Sequence, residues 1–214
     1  VAVEDDRFWD HDGWDGEGML RAATRNVRSG GVREGGSTIS QQLAKLNFVG
    51  ADRTFERKAQ ELLYAVALEE RYDKEQLLQR YLNQVYLGSG AYGVAAAAQE
   101  YFGVPVTQLA PDQAALLAGL IRSPGSHDPR DDPDAARRRR DLVLAIAGEK
   151  GILTREKVDQ LRQRPLELAA PQPEITDPLL VEAVRRELLG EPALGETREE
   201  RAELLATGGL RIQT

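Results

Sequence analysis

The sequence predicts a mainly α-helical domain, and three observations lead to that prediction. Alanine, leucine, arginine, glutamate and glutamine recur at helical spacing along the chain. Alternation of apolar and polar residues, which would indicate strands, is scarce. Charged residues make up 29% of the chain and aromatic residues only 6%, a composition that favours a helical globular domain. With 214 residues, the chain can bury a core as one domain, or as one domain with a small lobe.

Composition also excludes several classes of protein. A net charge of -7 argues against a general nucleic-acid binder, which needs a basic surface. The chain has no cysteine, so a disulfide framework and a Cys-ligated zinc site are impossible. No apolar run approaches the roughly 18 to 20 residues that span a bilayer. Because the chain begins at Val1 without a signal segment and ends in a strand-like stretch at 210–214, we expect it to be a piece of a longer protein.

The N-terminal third combines loops with one well-marked helix start. Residues 1–36 are rich in glycine, aspartate and arginine, with a helical pattern at 21–28, which predicts a polar loop, helix and loop. The spacing of Thr38 and Gln41 is that of a capping box, which predicts that a helix begins there.

Further helices follow from periodicity. The stretch 62–68 is apolar on every side, which predicts a helix buried all round at the centre of the fold. The run Arg137–Arg140 is interpreted as a solvated helix face, and prolines after residue 163 suggest a boundary near 165. The predicted helices lie at about 54–72, 74–86, 94–101, 111–121, 133–149, 179–189 and 197–206.

The first candidate site is a pair of carboxylates among aromatic residues near the N-terminus. Aromatic neighbours lower the local dielectric and raise a carboxyl pKa, as a general base or acid near neutral pH requires. Taken alone, such an acidic pair more often begins a structural element, and a single histidine is more often structural than catalytic. The set comprises Glu4, Asp5, Phe8, Trp9, His11, Gly13 and Trp14.

The second candidate is the glycine pair Gly35–Gly36 with the helix that follows it. Paired glycines let a backbone approach a ligand closely, and a helix N-terminus offers amide donors to an anion such as phosphate. The alternative is a capped helix after a turn. The polar residues of this segment are Ser37, Thr38, Gln41, Gln42 and Lys45.

The third candidate is a basic cluster beside Glu61. Arg57 and Glu61 are four residues apart, so one alternative is a surface ion pair that contributes little. Glu61 nevertheless leads into the apolar stretch, where a carboxyl would be partly desolvated and able to hold or donate a proton. Arg53, Lys58 and Lys45 could neutralise a pyrophosphate.

Together these segments resemble the peptidoglycan glycosyltransferases of class A penicillin-binding proteins and monofunctional transglycosylases (glycosyltransferase family 51). The family patterns E-D-x-x-F-x-x-H-x-G, G-G-S-T-I-[ST]-Q-Q-L-x-K and R-K-x-x-E are matched by residues 4–13, 35–45 and 57–61. A fourth pattern, similar to K-x-x-[IL]-L-x-x-Y-L-N-x-x-Y-x-G, falls on residues 74–88. The resemblance covers about residues 1–130.

The resemblance implies a lysozyme-like helical fold with a small mobile jaw lobe over a cleft. It implies that lipid II is polymerised into β-1,4 glycan by inverting transfer, with release of polyprenyl pyrophosphate. Glu4 would be the general base on the acceptor hydroxyl, and Glu61 would assist departure of the pyrophosphate. The implied substrate-binding residues are Asp5, Phe8, His11, Ser37, Thr38, Gln41, Gln42, Lys45, Arg53, Arg57 and Lys58.

The resemblance also implies the surroundings of the enzyme. A Mg²⁺ or Mn²⁺ ion would sit on the substrate pyrophosphate, although no metal cage is visible in the sequence. Partners would be lipid II, the growing lipid-linked glycan and moenomycin-type inhibitors, at the extracytoplasmic face of the bacterial plasma membrane. The short apolar stretch 46–49, between the second and third motifs, predicts a membrane surface near Phe48, and the alternative is an ordinary core segment. Residues 1–165 would form the glycosyltransferase domain, and 166–214 a helical extension leading toward a transpeptidase domain.

Two other functions stay open at this point. A lysozyme-like glycan-cleaving enzyme would also use a carboxylate in a cleft, but it has no pyrophosphate for the basic cluster to neutralise. A non-catalytic scaffold that binds lipid II would not need both Glu4 and Glu61.

Overall fold

The structure is a computed structural model, and it describes residues 1–18, 20, 36–48, 54–171 and 178–207. Within these residues lie nine α-helices, in addition to helical residues at 16–18 and 20, and no strand beyond an isolated antiparallel bridge between Tyr86 and Tyr92. The predicted mainly α class is therefore confirmed. Predictions for residues 21–28, Gly35, Arg53 and 208–214 lie outside the described residues. The helices are α1 (Ile39–Phe48), α2 (Phe55–Arg71), α3 (Lys74–Gln84), α4 (Val94–Phe102), α5 (Pro111–Leu120), α6 (Pro133–Glu149), α7 (Arg155–Arg162), α8 (Pro178–Gly190) and α9 (Arg198–Thr207).

Polar side chains begin the helices close to the predicted positions. At α1, the Thr38 hydroxyl accepts a bond from the Gln41 N–H at 3.1 Å, and the Gln41 side-chain oxygen accepts one from the Thr38 N–H at 3.3 Å. This reciprocal pair is the predicted capping box. Thr54, Asp73 and Asp132 cap α2, α3 and α6 through their own side chains. Each cap satisfies a backbone N–H that the helix itself leaves unpaired, which is typically worth about 1 kcal/mol.

The helix at the centre of the core is α5. Its Leu116 and Leu120 are fully buried, and α5 packs against α6 on one side and α4 on another. The prediction that residues 62–68 are buried all round is wrong: Leu63 is 71% exposed, and only Glu61 and Ala65 of α2 are buried. One stripe of α2 packs on α1, while its opposite, apolar face is open to solvent.

The four consecutive arginines of α6 differ in environment because successive residues of a helix point about 100° apart. Arg137 and Arg138 are exposed and Arg139 is half-buried. Arg140 is fully buried, and its guanidinium donates to Asp141 Oδ1 at 2.9 Å and to the Arg164 carbonyl at 2.9 Å. The interpretation of the run as a solvated face is therefore wrong for Arg140, which ties α6 to the chain after α7.

The chain stays attached to the core beyond the boundary predicted near residue 165. Leu166 and Leu168 pack against the core, and the Ala169 N–H donates to the Tyr101 carbonyl at 2.8 Å. Farther on, α9 contacts α3, where Arg80 pairs with Glu203 at 2.9 Å. The short helix α7 was not predicted. Among the helices that the structure describes, none is both long and apolar enough to cross a membrane.

Candidate active site

The N-terminal segment is fastened to the start of α1 by a buried carboxylate. Asp5 Oδ2 accepts a hydrogen bond from the Ile39 N–H at 2.8 Å, and His11 Nε2 lies 3.1 Å from both oxygens of Asp5. The Thr38 hydroxyl donates to the Gly13 carbonyl at 2.8 Å. Together these bonds, which we call the anchor, fix residues 4–13 against the N-terminus of α1, where a negative charge is electrostatically favoured.

Gly13 completes this attachment because it lets the segment approach α2. Its φ is +90°, a left-handed conformation that glycine adopts without strain, and a Cβ at this position would lie 3.0 Å from the Ala65 carbonyl carbon. The segment therefore rests directly on the α2 backbone.

Glu4 lies next to this anchor, and its carboxylate meets polar groups from two different helices. Gln42 Nε2 is 3.5 Å from Glu4 Oε2, and Arg139 Nη2 is 3.9 Å from Glu4 Oε1. The Tyr81 hydroxyl donates to Gln42 Oε1 at 2.7 Å, so it orients the amide with its NH₂ group toward Glu4. Burial, with a contribution from the charge of Glu4, raises the pKa of Tyr81, which keeps its hydroxyl a proton donor.

Glu61 is buried and, with Glu4, lines the cavity that we call the cleft. Two cations hold its carboxylate. Its Oε1 accepts from Arg57 Nη1 at 2.5 Å and its Oε2 from Lys58 Nζ at 2.6 Å. Lys58 Nζ also donates to Ser37 Oγ at 2.9 Å, which connects α2 to the segment before α1. The Nε atom of Arg57 is buried without a hydrogen-bond partner among the described residues. A buried donor in this state is suited to an anion that enters the cleft.

These groups surround one cavity of about 360 Å³, a size typical of ligand sites. The structure thus brings together Glu4 and Glu61, as the resemblance implied, with most of the predicted polar residues. The cavity also has an apolar edge from Val3 and Ile121. The predicted residues that line it are Glu4, Ser37, Gln41, Gln42, Lys45, Arg57, Lys58 and Glu61.

Four other predicted site residues lie elsewhere. Phe8 is fully buried in the core with Lys74 Nζ over its ring, so it has no surface to offer a substrate. Asp5, His11 and Thr38 are buried in the anchor described above and do not line the cavity. The geometry favours a positioning role for these three residues over direct contact with substrate, because they are buried outside the cavity and hydrogen-bonded within the protein, although His11 Nδ1 is buried without a partner among the described residues. Arg53 lies outside the described residues.

Sequence reasoning missed three groups that complete the site. Arg122 lines the cavity, Arg139 approaches Glu4, and Tyr81 orients Gln42. Arg122 lies two residues beyond the end of the buried helix α5, and a charged residue at that point was a usable signal. Tyr81 and Arg139 come from α3 and α6, and no local spacing connects them to residue 4.

The cleft is poorly suited to holding a divalent cation through protein ligands. Both oxygens of Glu61 already accept bonds from cations, and Lys45, Arg57, Lys58 and Arg122 give the lining an excess of positive charge. No group of three or more acidic or histidine side chains that could hold a metal occurs within the described ranges. A hard cation needs several oxygen ligands, which here the oxygens of a bound pyrophosphate and of water would have to supply.

Comparison with known proteins gives matches along most of the chain. A transglycosylase family model matches residues 1–147. Penicillin-binding protein 1A of Aquifex aeolicus is 49% identical over 166 residues, which are 78% of this chain and 23% of that protein. Penicillin-binding protein 1A of Escherichia coli is 41% identical over 190 residues, 88% of this chain and 22% of that protein. The chain therefore spans less than a quarter of the length of these relatives.

A solved structure, penicillin-binding protein 1A from Haemophilus influenzae, matches with a TM-score of 0.42 and 26% sequence identity. The match covers 71% of this chain and 19% of that chain.

The positioning role of Asp5 predicts a loss of stability on truncation. We expect Asp5→Ala to lower the free energy of unfolding by about 1 to 3 kcal/mol, because the Ile39 N–H and His11 lose a buried acceptor. Urea denaturation measures the change. The matched control, Asp10→Ala, removes an exposed carboxylate of the same segment and should change the free energy by less than about 0.5 kcal/mol. Equal, small effects in both variants would contradict the role.

Proposed function

This chain belongs to the transglycosylase family, and from that membership we propose that it is a peptidoglycan glycosyltransferase that polymerises lipid II into β-1,4 glycan strands. One observation carries the proposal. Glu4 and the cation-held Glu61 line a single cavity within the part of the chain that the family model matches. A base on one side and positive charge on the other suit transfer of a sugar from a pyrophosphate.

The proposed step begins at Glu4. Its carboxylate takes the proton from the 4-hydroxyl of the acceptor GlcNAc, and that oxygen forms a bond to C1 of the donor MurNAc. The bond between C1 and the pyrophosphate oxygen breaks, and the electron pair leaves with the pyrophosphate. Gln42 and Arg139 hold the Glu4 carboxylate toward the cleft. A single displacement inverts the anomeric carbon, so an α-linked donor yields a β-1,4 link.

The leaving group departs into the basic side of the cleft. Lys45, Arg57 and Lys58 would neutralise the charge that develops on the pyrophosphate, together with Arg53. Because both oxygens of Glu61 accept bonds from Arg57 and Lys58, its favoured role is to fix these cations rather than to donate a proton. Mg²⁺ or Mn²⁺ on the pyrophosphate itself remains a prediction, and no step above depends on it.

The basic lining also separates this function from its alternatives. A glycan-cleaving enzyme with a lysozyme-like mechanism has no pyrophosphate to bind, so it would offer the cations beside Glu61 no anionic group to neutralise. A scaffold that only binds lipid II would not require the hydrogen-bonded placement of Glu4. Product length distinguishes them: a synthase makes polymer from lipid II, and a hydrolase makes fragments from glycan.

The proposed substrate is anchored in a membrane, and exposed apolar side chains at the end of α1 and on α2 are suited to that location. Phe48 stacks on Tyr64 with ring centroids 5.0 Å apart, and Phe55 is 98% exposed. Exposed apolar clusters of this kind mark sites of protein or membrane contact. We place this patch, formed by Leu46, Phe48, Phe55, Leu63 and Tyr64, against the extracytoplasmic face of the plasma membrane.

The first functional prediction concerns the base. Glu4→Gln keeps the shape of the side chain and removes its basicity, so polymerisation should fall on the order of 10² to 10⁴-fold with unchanged thermal melting. Lipid II consumption measures the rate, and a muramidase specific for β-1,4 links should digest the wild-type product completely. Asp10→Asn serves as a control on an exposed acid. Wild-type turnover by Glu4→Gln would refute the assignment.

The second concerns the leaving-group cations. Lys45→Met and Lys58→Met should each weaken the binding of moenomycin, a phosphoglycolipid, by roughly tenfold, since each loses a charge-assisted contact with phosphate. Arg137→Met, which removes an exposed arginine of α6, should leave the affinity unchanged. Titration with fluorescently labelled moenomycin measures the affinity of all three variants. Indistinguishable affinities would mean that the cluster does not bind phosphate.

The third concerns the apolar patch. Phe48→Ser should reduce the fraction of protein bound to liposomes, because burying apolar surface contributes roughly 25 cal/mol per Å². Ile152→Ser removes an apolar side chain outside the patch that is even more exposed than Phe48, and it is the control. Co-sedimentation with liposomes of anionic and neutral lipids gives the bound fraction. The membrane role fails if both variants bind as the wild type does.

A further inference from the structure

A second cavity, of about 330 Å³, adjoins the cleft on the side of Glu4. Arg138, Arg139 and His127 line it together with Arg122, which also lines the cleft. Among the described residues, no carboxylate belongs to its lining. Three guanidinium groups around one cavity form a site for an oxyanion, since arginine offers paired donors that match phosphate and carboxylate oxygens. We call this cavity the arginine pocket.

One arginine of this pocket, Arg139, is fixed by a backbone carbonyl and lies near the charge of Arg122. Arg139 Nε donates to the Gly119 carbonyl at 3.1 Å, which fixes the side chain between the pocket and Glu4. Burial lowers the pKa of Arg139, the charge of Glu4 raises it, and the neighbouring charge of Arg122 lowers it again. The like charges of Arg122 and Arg139 repel each other, and an anion bound between them would relieve that repulsion.

His127 supplies a further polar group. It lines the pocket, and its Nδ1 atom is buried with no hydrogen-bond partner among the residues that the structure describes. A buried nitrogen without a partner loses the hydrogen bonds that water would give it. Because arginines surround the pocket, an anionic ligand is a fitting acceptor for a ring N–H of His127.

The chemistry of the proposed function calls for a second anion site of this kind. Two lipid-linked molecules meet in the cleft, and each carries a pyrophosphate. The donor loses its pyrophosphate on the Glu61 side, but the acceptor keeps its own while its 4-hydroxyl lies at Glu4. The cations beside Glu61 can therefore serve only one of the two groups.

We propose that the arginine pocket binds the pyrophosphate of the acceptor substrate. This inference rests on the proposed function and extends it from the leaving group to the acceptor. The same pocket chemistry would also suit a carboxylate of the stem peptide, and the experiment below separates the two sources.

The test reverses the charge of one pocket arginine. A donor whose terminal 4-hydroxyl is blocked is supplied in excess, so that lipid II serves only as acceptor, and the initial rate is measured against its concentration. For Arg138→Glu we expect the KM of the acceptor to rise about threefold to tenfold at low salt, with kcat unchanged and the difference reduced at high salt. Arg137→Glu, a reversal one residue away on the exposed face of the same helix, should leave both constants as in the wild type.

Two comparisons decide the outcome. The rise in KM should persist with lipid II whose stem peptide has its carboxylates amidated, and it would disappear if the pocket bound the peptide instead, which would overturn the proposal. Moenomycin affinity, which reports the donor side, should be the same in both reversals. Polymerisation by the wild type with equal acceptor KM in Arg138→Glu and Arg137→Glu would overturn this inference alone. An absence of polymer from the wild type would instead refute the proposed function.

Discussion

The hydrogen bond from the Ile39 N–H to the Asp5 carboxylate is the constraint on which the site depends. It joins the segment that carries Glu4 to the first turn of α1, and α1 in turn carries Gln41, Gln42 and Lys45. Because α2 packs along α1 and carries Arg57, Lys58 and Glu61, one buried carboxylate relates both sides of the cleft. The neighbouring residues Glu4 and Asp5 thus divide two tasks, of which one faces the cavity and the other faces the protein.

The distribution of charge shows how a protein of negative net charge can offer a basic site to an anion. The chain carries a net charge of -7, yet the cleft and the arginine pocket concentrate its basic side chains around two carboxylates. Each of those carboxylates is constrained by hydrogen-bonding partners, Glu61 by Arg57 and Lys58, and Glu4 by Gln42. Local potential rather than net charge therefore governs what the site attracts.

Much of this architecture follows from local sequence signals. The capping box at Thr38 and Gln41, and the helix from Pro133 to Glu149, were predictable because caps and periodicity are properties of neighbouring residues. The motifs likewise indicated most of the residues that line the cleft. Tyr81 and Arg139 could not be placed, because their contacts with the site join helices far apart in the chain. The burial of residues 62–68 was mispredicted for a related reason. Apolar residues on every side of a helix are buried only if other parts of the protein pack on every side, and that depends on contacts between distant segments.

The close contact between Gly13 and the backbone of α2 sets the spacing between the two segments that carry Glu4 and Glu61. Where a Cβ would lie 3.0 Å from the Ala65 carbonyl carbon, the missing side chain sets how closely the N-terminal segment can settle. Any larger residue would act as a spacer, lifting that segment away from α2. The absence of a side chain at Gly13 thus helps to set the distance between the Glu4 segment and α2, and a single added methyl group would be enough to increase that distance.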